Sequence, residues 1–253
     1  MEKLINMPKR LQNEIGRKLK IIDTAFNIFV EKKIESVSMG EIAEAAGMGR
    51  ATLFRHYPSK LELVIAVCAT KWKAYLDELD EKRPISSIGD IPAIDRFVFT
   101  LDSYIDMYHH HKDLLQYNDN FNYYVTHENA SEEQLKDFRL SLGSANTRFH
   151  LMYEKAKEDK SFRTDISEDV FFRVTLHSMM AACTHYAGDF IWGAKDNKDY
   201  TTELVLLKKM IVDFADSEWK QNTDRNITIR GNGEFSKFES VKVDELLLTS
   251  TVF

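Results

Sequence analysis

Apolar residues recur along this chain at steps of three and four over most of its length, which predicts helices almost throughout. Ile15, Leu19, Ile22, Phe26 and Phe29 mark one face of a first helix ending near residues 31 to 33. Ser38 and Glu41 are spaced as a capping box, and Met39, Ile42, Ala43 and Ala46 follow as a short amphipathic helix stopped at Gly47. Met48 and Gly49 complete a tight turn. A third helix, barely two turns long, runs from Arg50 to about Tyr57, where Pro58 forbids its continuation. Ser59 and Glu62 form another capping box and open a longer helix that carries Leu61, Val64, Val67, Trp72, Tyr75 and Leu79 and ends before Pro84.

The stretch from Pro84 to Pro92, with Ser86, Ser87 and Gly89 inside it, reads as a joint. Beyond it the pattern predicts helices over 93 to 110, 114 to 127, 131 to 159 (capped by Ser131 with Gln134), 167 to 192 with Gly193 at the end, and 202 to 220. The helix from Ser167 is apolar over much of its circumference and needs neighbours on more than one side. Residues 226 to 243 alternate unevenly and read as a weak hairpin or a flexible tail, with no function assigned. The expected fold class is all-α. An N-terminal helix-turn-helix domain (1 to 60) precedes a helical body (61 to 221) and a C-terminal tail (222 to 253).

Composition narrows the class of protein. A hydrophobic share of 43% among 253 residues supplies a core, which excludes wholesale disorder. Cys68 and Cys183 stand far apart among apolar neighbours and read as reduced, buried thiols. No signal peptide is apparent and no apolar run approaches the roughly 20 residues that span a bilayer, so the expectation is a cytoplasmic protein with no membrane partner. The net charge of −6 is unevenly spread: residues 1 to 60 carry +4 and the remainder −10. A basic front on an acidic body suggests that the front meets a polyanion. The acidic body favours a neutral or cationic ligand over an anionic one.

A short capped helix, a glycine-containing turn and a second short helix have the order of a helix-turn-helix unit, whose second helix enters the DNA major groove. Such a helix must bury one side to hold its orientation and offer the other to base edges. At 100° per residue, Leu53 and Tyr57 point inward, Ala51, Thr52 and Arg55 outward, and Arg50 and Phe54 lie at the flanks. Arg50 and Arg55 have the donor geometry for guanine O6 and N7, Thr52 and Ala51 suit a thymine methyl, and Lys60 suits a phosphate. The candidate DNA-facing set is Ser38, Met48, Arg50, Ala51, Thr52, Phe54, Arg55, His56 and Lys60. The bland alternative for these residues is a solvated helix face, and for Lys9, Arg10, Arg17, Lys18 and Lys20 it weighs as much as backbone contact does.

Residues 38 to 63, SMGEIAEAAGMGRATLFRHYPSKLEL, resemble the signature of the TetR family of bacterial transcriptional regulators, with matches at Ile42, Ala43, Ala46, Gly47, Thr52, Leu53, Tyr57, Ser59, Lys60 and Leu63. Gly49 stands where that pattern prefers Ser, Ala51 where it has Gly, and Phe54 where it has Tyr, so a hydroxyl that often bonds phosphate is missing. His56 occupies a position that reaches the DNA backbone in the family. The resemblance implies a homodimer paired through the last two long helices, double-stranded operator DNA as partner, and a helical body enclosing a small-molecule effector of unknown identity. It implies a repressor released from its operator when the effector binds.

Tyr104, Tyr108, Phe121, Tyr124, Phe149, Tyr153, Phe172, His177 and Met180 are the candidate effector-pocket residues, set against ordinary core packing. Histidines 109 to 111 point 100° apart on a helix and cannot share one ion; His185 and Asp189 do sit at i, i+4, with His177 two turns before His185, but neither a Cys/His pair nor H-x-x-x-H appears, so no metal and no cofactor is expected. Nucleophile, phosphate-loop and paired-cysteine motifs are absent, so no enzymatic activity is expected. The rival readings are a regulator with a vestigial pocket controlled by a protein partner, and a helical metal-binding protein with an inactive DNA module.

Overall fold

The computed structural model describes residues 8 to 82, 84, 89 to 188 and 198 to 216, together with the backbone of 227 to 230 and 238 to 241. The described chain is helical except for one two-stranded hairpin. The helices are α1 (Lys9–Lys32), α2 (Met39–Ala45), α3 (Arg50–His56), α4 (Lys60–Lys82), α5 (Ala93–His110), α6 (Lys112–His127), α7 (Lys136–Ser141), α8 (Gly143–Asp159), α9 (Glu168–Phe172), α10 (Ser178–Ala187) and α11 (Thr201–Ala215). A π-helical segment, Arg173–His177, joins α9 to α10.

The chain divides into two compact units. The first contains residues 1 to 89, 104 to 148 and 181 to 198. Its core begins on the second half of α1, where Ile21, Ile22, Ala25, Phe26 and Phe29 are buried. Helix α1 starts at Lys9, six residues before the apolar pattern does, and Leu19 remains exposed, because only the C-terminal half of the helix has neighbours. On α4 a stripe of Leu63, Val64, Val67, Cys68, Trp72, Tyr75 and Leu76 is buried. Tyr117 of α6 stacks near Phe26 (5.4 Å between ring centroids), and its hydroxyl donates to the Val64 carbonyl at 2.8 Å. A buried phenol is thereby satisfied rather than left at a desolvation cost of about 1–3 kcal/mol. Trp72 Nε1 likewise donates to Asn118 Oδ1 at 3.2 Å.

The second unit contains residues 90 to 103, 149 to 180 and 199 to 253. Phe97, Phe162 and Phe171 form its aromatic centre, with Phe162 and Phe171 stacked at 4.8 Å and 4° between planes. The start of α5 is tied down from a distance: the Ala93 amide donates to Asp159 Oδ2 (2.9 Å) and the Ile94 amide to Ser161 Oγ (3.0 Å). These contacts satisfy two of the N–H groups that any helix start leaves over. Arg163 makes a two-point pair with Asp165 (2.9 and 2.8 Å), and its backbone amide donates to the Ala215 carbonyl.

Three predicted elements differ in extent. The single helix expected over 131 to 159 is divided. Ser131 and Gln134 do bond each other, but they close only a turn, and the helical chain restarts at Gly143 after α7 ends. The interruption falls at Leu142, whose amide turns back to the Arg139 and Leu140 carbonyls. The apolar helix from Ser167 is capped as expected, Ser167 Oγ accepting from the Val170 amide, but it contains the π segment, and residues 189 to 193 lie outside the described residues. The last long helix begins at Thr201 and ends at Ala215, with 217 to 220 also outside the described residues. In the tail, β1 (Ile227–Arg230) pairs antiparallel with β2 (Phe238–Val241), Ile227 opposite Val241.

Candidate nucleic-acid interface

Helices α2 and α3 are short, and their local sequence explains where each begins and ends. Ser38 Oγ accepts from the Glu41 amide (3.2 Å) while Glu41 Oε2 accepts from the Ser38 amide (2.8 Å), a complete capping box. The Ser38 amide, and after it the Ser38 hydroxyl, hold the Glu41 carboxyl below the usual glutamate range, with the Lys32 and Lys60 charges adding to them. Gly47 ends α2 with φ +68°, a conformation in which a Cβ is strained. Gly49 caps α3 without a side-chain bond, and Pro58 follows it.

Leu53 is the one buried residue of α3 and is fully enclosed. Tyr57 is half-buried, and burial pushes its phenol above the usual value. On the other side Arg50, Ala51, Phe54 and Arg55 are exposed, while Thr52 and His56 are half-buried. Neither Arg50 nor Arg55 makes an ion pair among the described residues. Their guanidinium groups therefore keep their donors for an outside acceptor. Phe54 shows 44% of its surface, so its ring is open to contact from outside.

Ser38 is exposed at the start of α2, and Met48 is half-buried in the turn. Lys60 is engaged within the protein: its Nζ donates to the Glu35 carbonyl at 3.2 Å and stands 5.3 Å from the centre of the Tyr124 ring. Burial lowers its pKa, opposed by Glu35, Glu128 and Glu41. A phosphate bond from Lys60 would be made in exchange for that carbonyl. Lys9, Arg10, Arg17, Lys18 and Lys20 are all exposed on α1, and Lys20 Nζ reaches within 3.6 Å of where a Cβ on Gly47 would be. The turn between α2 and α3 therefore has a cation beside it, a neighbour the sequence pattern did not reveal.

The candidate pocket residues fall in both units. In the first, Tyr108, Phe121 and Tyr124 are buried and Tyr104 is half-buried. Phe121 lies between Tyr117 (6.3 Å) and Phe138 (4.9 Å). Burial raises the Tyr104 hydroxyl far above the usual range, Tyr75 and Cys183 adding to the effect, so it stays a neutral donor. In the second unit, Phe149 and Tyr153 both approach Phe172, at 5.1 and 6.1 Å, and the Tyr153 hydroxyl donates to the Ile166 carbonyl. Met180 is half-buried, and His177 is exposed on the π segment, outside that cluster.

A cleft with a cavity volume of about 100 Å³ lies beside the end of α1, lined by Glu31, Lys33, Gln116, Asp119, Asn120 and Thr184 among others. It is too small and too polar for an apolar effector, whose pockets run from roughly 300 Å³ upward. One set of three potential metal donors occurs among the described residues: His150 and Glu154, one turn apart on α8, and Glu168 of α9, with donor atoms within 4.8 Å of one another. His150 Nδ1 is 3.1 Å from Glu168 Oε2, and Lys157 Nζ donates to Glu154 at 2.6 Å. The group thus has its charges paired within the protein. Its third member is 14 residues from the second, a spacing no short motif records.

A buried anchor on one side of a short capped helix, with unpaired arginines and an exposed aromatic on the other, defines a helix-turn-helix DNA-binding regulator. Comparison with known proteins agrees: residues 21–67 match the family model described as "Bacterial regulatory proteins, tetR family". The chain is similar to that family over this segment, which holds the helix-turn-helix. It is 26% identical over 178 residues to the HTH-type transcriptional repressor KstR2 of Rhodococcus jostii (strain RHA1), an alignment covering 68% of this chain and 80% of that one. Its fold is similar to the FadR regulator of Bacillus subtilis solved in complex with stearoyl-CoA (12% identity, TM-score 0.58, 78% of this chain and 98% of that one). It is also similar to the ketosteroid transcriptional regulator KstR2 of Mycobacterium tuberculosis (15% identity, TM-score 0.52, 80% and 96%). The metal-binding alternative finds no support among these relatives.

Proposed function

We propose that the chain works as a homodimeric repressor whose two α3 helices read successive major grooves of one operator, and that a small molecule with an apolar skeleton releases it. The observation that carries the reading is the division of α3: Leu53 fully enclosed, Arg50, Ala51, Phe54 and Arg55 in solvent. The DNA-facing set is Ser38, Met48, Arg50, Ala51, Thr52, Phe54, Arg55 and His56, with Lys60 joining only if it leaves the Glu35 carbonyl.

Pairing of two copies is supported by α11, where Leu206 and Met210, one turn apart, expose 57% and 68% of their surface. Large apolar side chains arranged along one face of a helix are costly in water and gain about 25 cal/mol per Å² when covered. An apolar effector is supported by the aromatic interior of both units and by two proteins of similar fold, one a ketosteroid regulator and one solved in complex with stearoyl-CoA.

The test starts from duplexes selected out of a random-sequence pool on the full-length protein. Specific binding should weaken steeply with salt, log Kd against log salt having a slope of about 0.9 per phosphate neutralised. Sequence-indifferent binding with a shallow slope would overturn the reading. For the dimer, Met210→Glu should move the sedimenting species toward the monomer and weaken operator binding together; an unchanged species would remove α11 from the interface.

A further inference from the structure

Gly40 occupies the second position of α2, where glycine is an unfavourable helix former, and its backbone has no positive φ that would call for it. The reason for its presence lies ten residues on. A Cβ built at Gly40 would stand 2.6 Å from Nη2 of Arg50 and 2.9 Å from its Cζ and Nε. Real Cβ contacts essentially never fall below 3.0 Å, so the guanidinium fills the space that a side chain at residue 40 would need. Arg50 itself is exposed and makes no ion pair among the described residues. Its guanidinium lies against the open side of Gly40.

We infer that Gly40 is a specificity-setting position of this regulator: the missing side chain lets the Arg50 guanidinium lie flat against α2 and holds it in one orientation for the DNA. This rests on the reading of Arg50 as a DNA contact. The physical gain is preorganisation. A long side chain that is immobilised only on binding lowers affinity, whereas one already confined in the free protein has less freedom to lose. Any larger residue at 40 pushes the guanidinium off α2 and returns that freedom to it. Gly40 does not touch the DNA in this account; it acts through Arg50.

The substitution Gly40→Ala separates this role from a structural one, because alanine is the better helix former and leaves every charge in place. The full-length protein carrying Gly40→Ala should keep or raise its thermal midpoint and yet bind its selected duplex about 2- to 12-fold more weakly per half-site, the span expected for freeing one long side chain. The largest loss should fall on those base positions to which Arg50→Ala is sensitive. In an Arg50→Ala background, Gly40→Ala should change affinity by less than 2-fold. If Arg50→Ala lowers affinity and Gly40→Ala does not, or lowers it equally with and without Arg50, the inference about Gly40 is wrong while the DNA reading of α3 stands. If Arg50→Ala itself leaves affinity and base preference unchanged, Arg50 is no DNA contact and both readings fail at that residue.

Discussion

Replacing Leu53 by Ala tests how the recognition helix is held. Helix α3 has seven residues, too few to form alone in water. Its flanks add only the ends of the same short ladder, the Gly49 carbonyl accepting from the Thr52 and Leu53 amides and the Tyr57 amide donating to the Leu53 carbonyl. Its enclosed side chain is therefore the main tether, with half-buried Tyr57 as a second. Leu→Ala removes three carbon groups, about 2.4 kcal/mol at ~0.8 kcal/mol per group, and the residual cavity extends the range to about 2–5 kcal/mol. Spread over the local opening of α3, that range accelerates amide exchange at residues 50 to 56 by roughly 30- to 4,000-fold at 1.4 kcal/mol per decade. Hydrogen exchange followed by mass spectrometry reads this directly, and the operator Kd should rise alongside. The exchange of residues 93 to 103 and 149 to 159 in the second unit should change far less. Unchanged protection over 50 to 56, or faster exchange there with no loss of DNA affinity, would refute the idea that a single leucine anchors the reading surface.

Other measurements follow from named contacts. Ser38→Ala removes the oxygen that receives the Glu41 amide and should cost about 1 kcal/mol in chemical denaturation. Because the folded state holds Glu41 below its ordinary value of 4.5, its contribution is present above that pH and is lost as the pH falls through the folded value; Ser38→Ala should weaken this acid dependence. Lys33 ends α1 at φ +68° and ψ 151°, a conformation essentially reserved for glycine, so Lys33→Gly should stabilise the protein by about 0.5–2 kcal/mol, and a loss of stability would show that the strain is not there. Burial pushes the Cys183 thiol up to about 12 from its ordinary 9, and Cys68 well up too. Unfolding between those pH values releases a proton, so stability should fall as the pH rises from 9 toward 12, and both thiols should resist a thiol reagent at pH 8 until the chain unfolds. Rapid labelling of the native protein would contradict their burial.

What the sequence determined by itself is local. The capping box at Ser38, the hydroxyl cap at Ser59, the stop at Gly47, the proline after α3 and the inward direction of Leu53 all arise from bonds or angles within a few residues, so spacing alone carries them. The family signature lies in that same stretch, which is why the helix-turn-helix was legible from spacing. In the tail, uneven alternation with intervening glycines left a weak hairpin and a flexible tail both open, and β1 pairs with β2 there.

The tertiary structure decided whatever depends on residues far apart in the chain. The Asp159 and Ser161 caps on α5, the Glu35 carbonyl and Tyr124 ring that engage Lys60, and the meeting of Gly40 with Arg50 leave no periodic trace. A glycine in a helix looks like a small local loss until its neighbour from another helix is known. The break at Gly143 and the π segment after Phe172 belong here as well, since an apolar pattern reports which side is buried and not whether the ladder beneath it stays regular. The physical reason is one of range: backbone hydrogen bonding and capping act over three or four residues, whereas packing and charge pairing act through space, and only the folded chain says which distant groups share it.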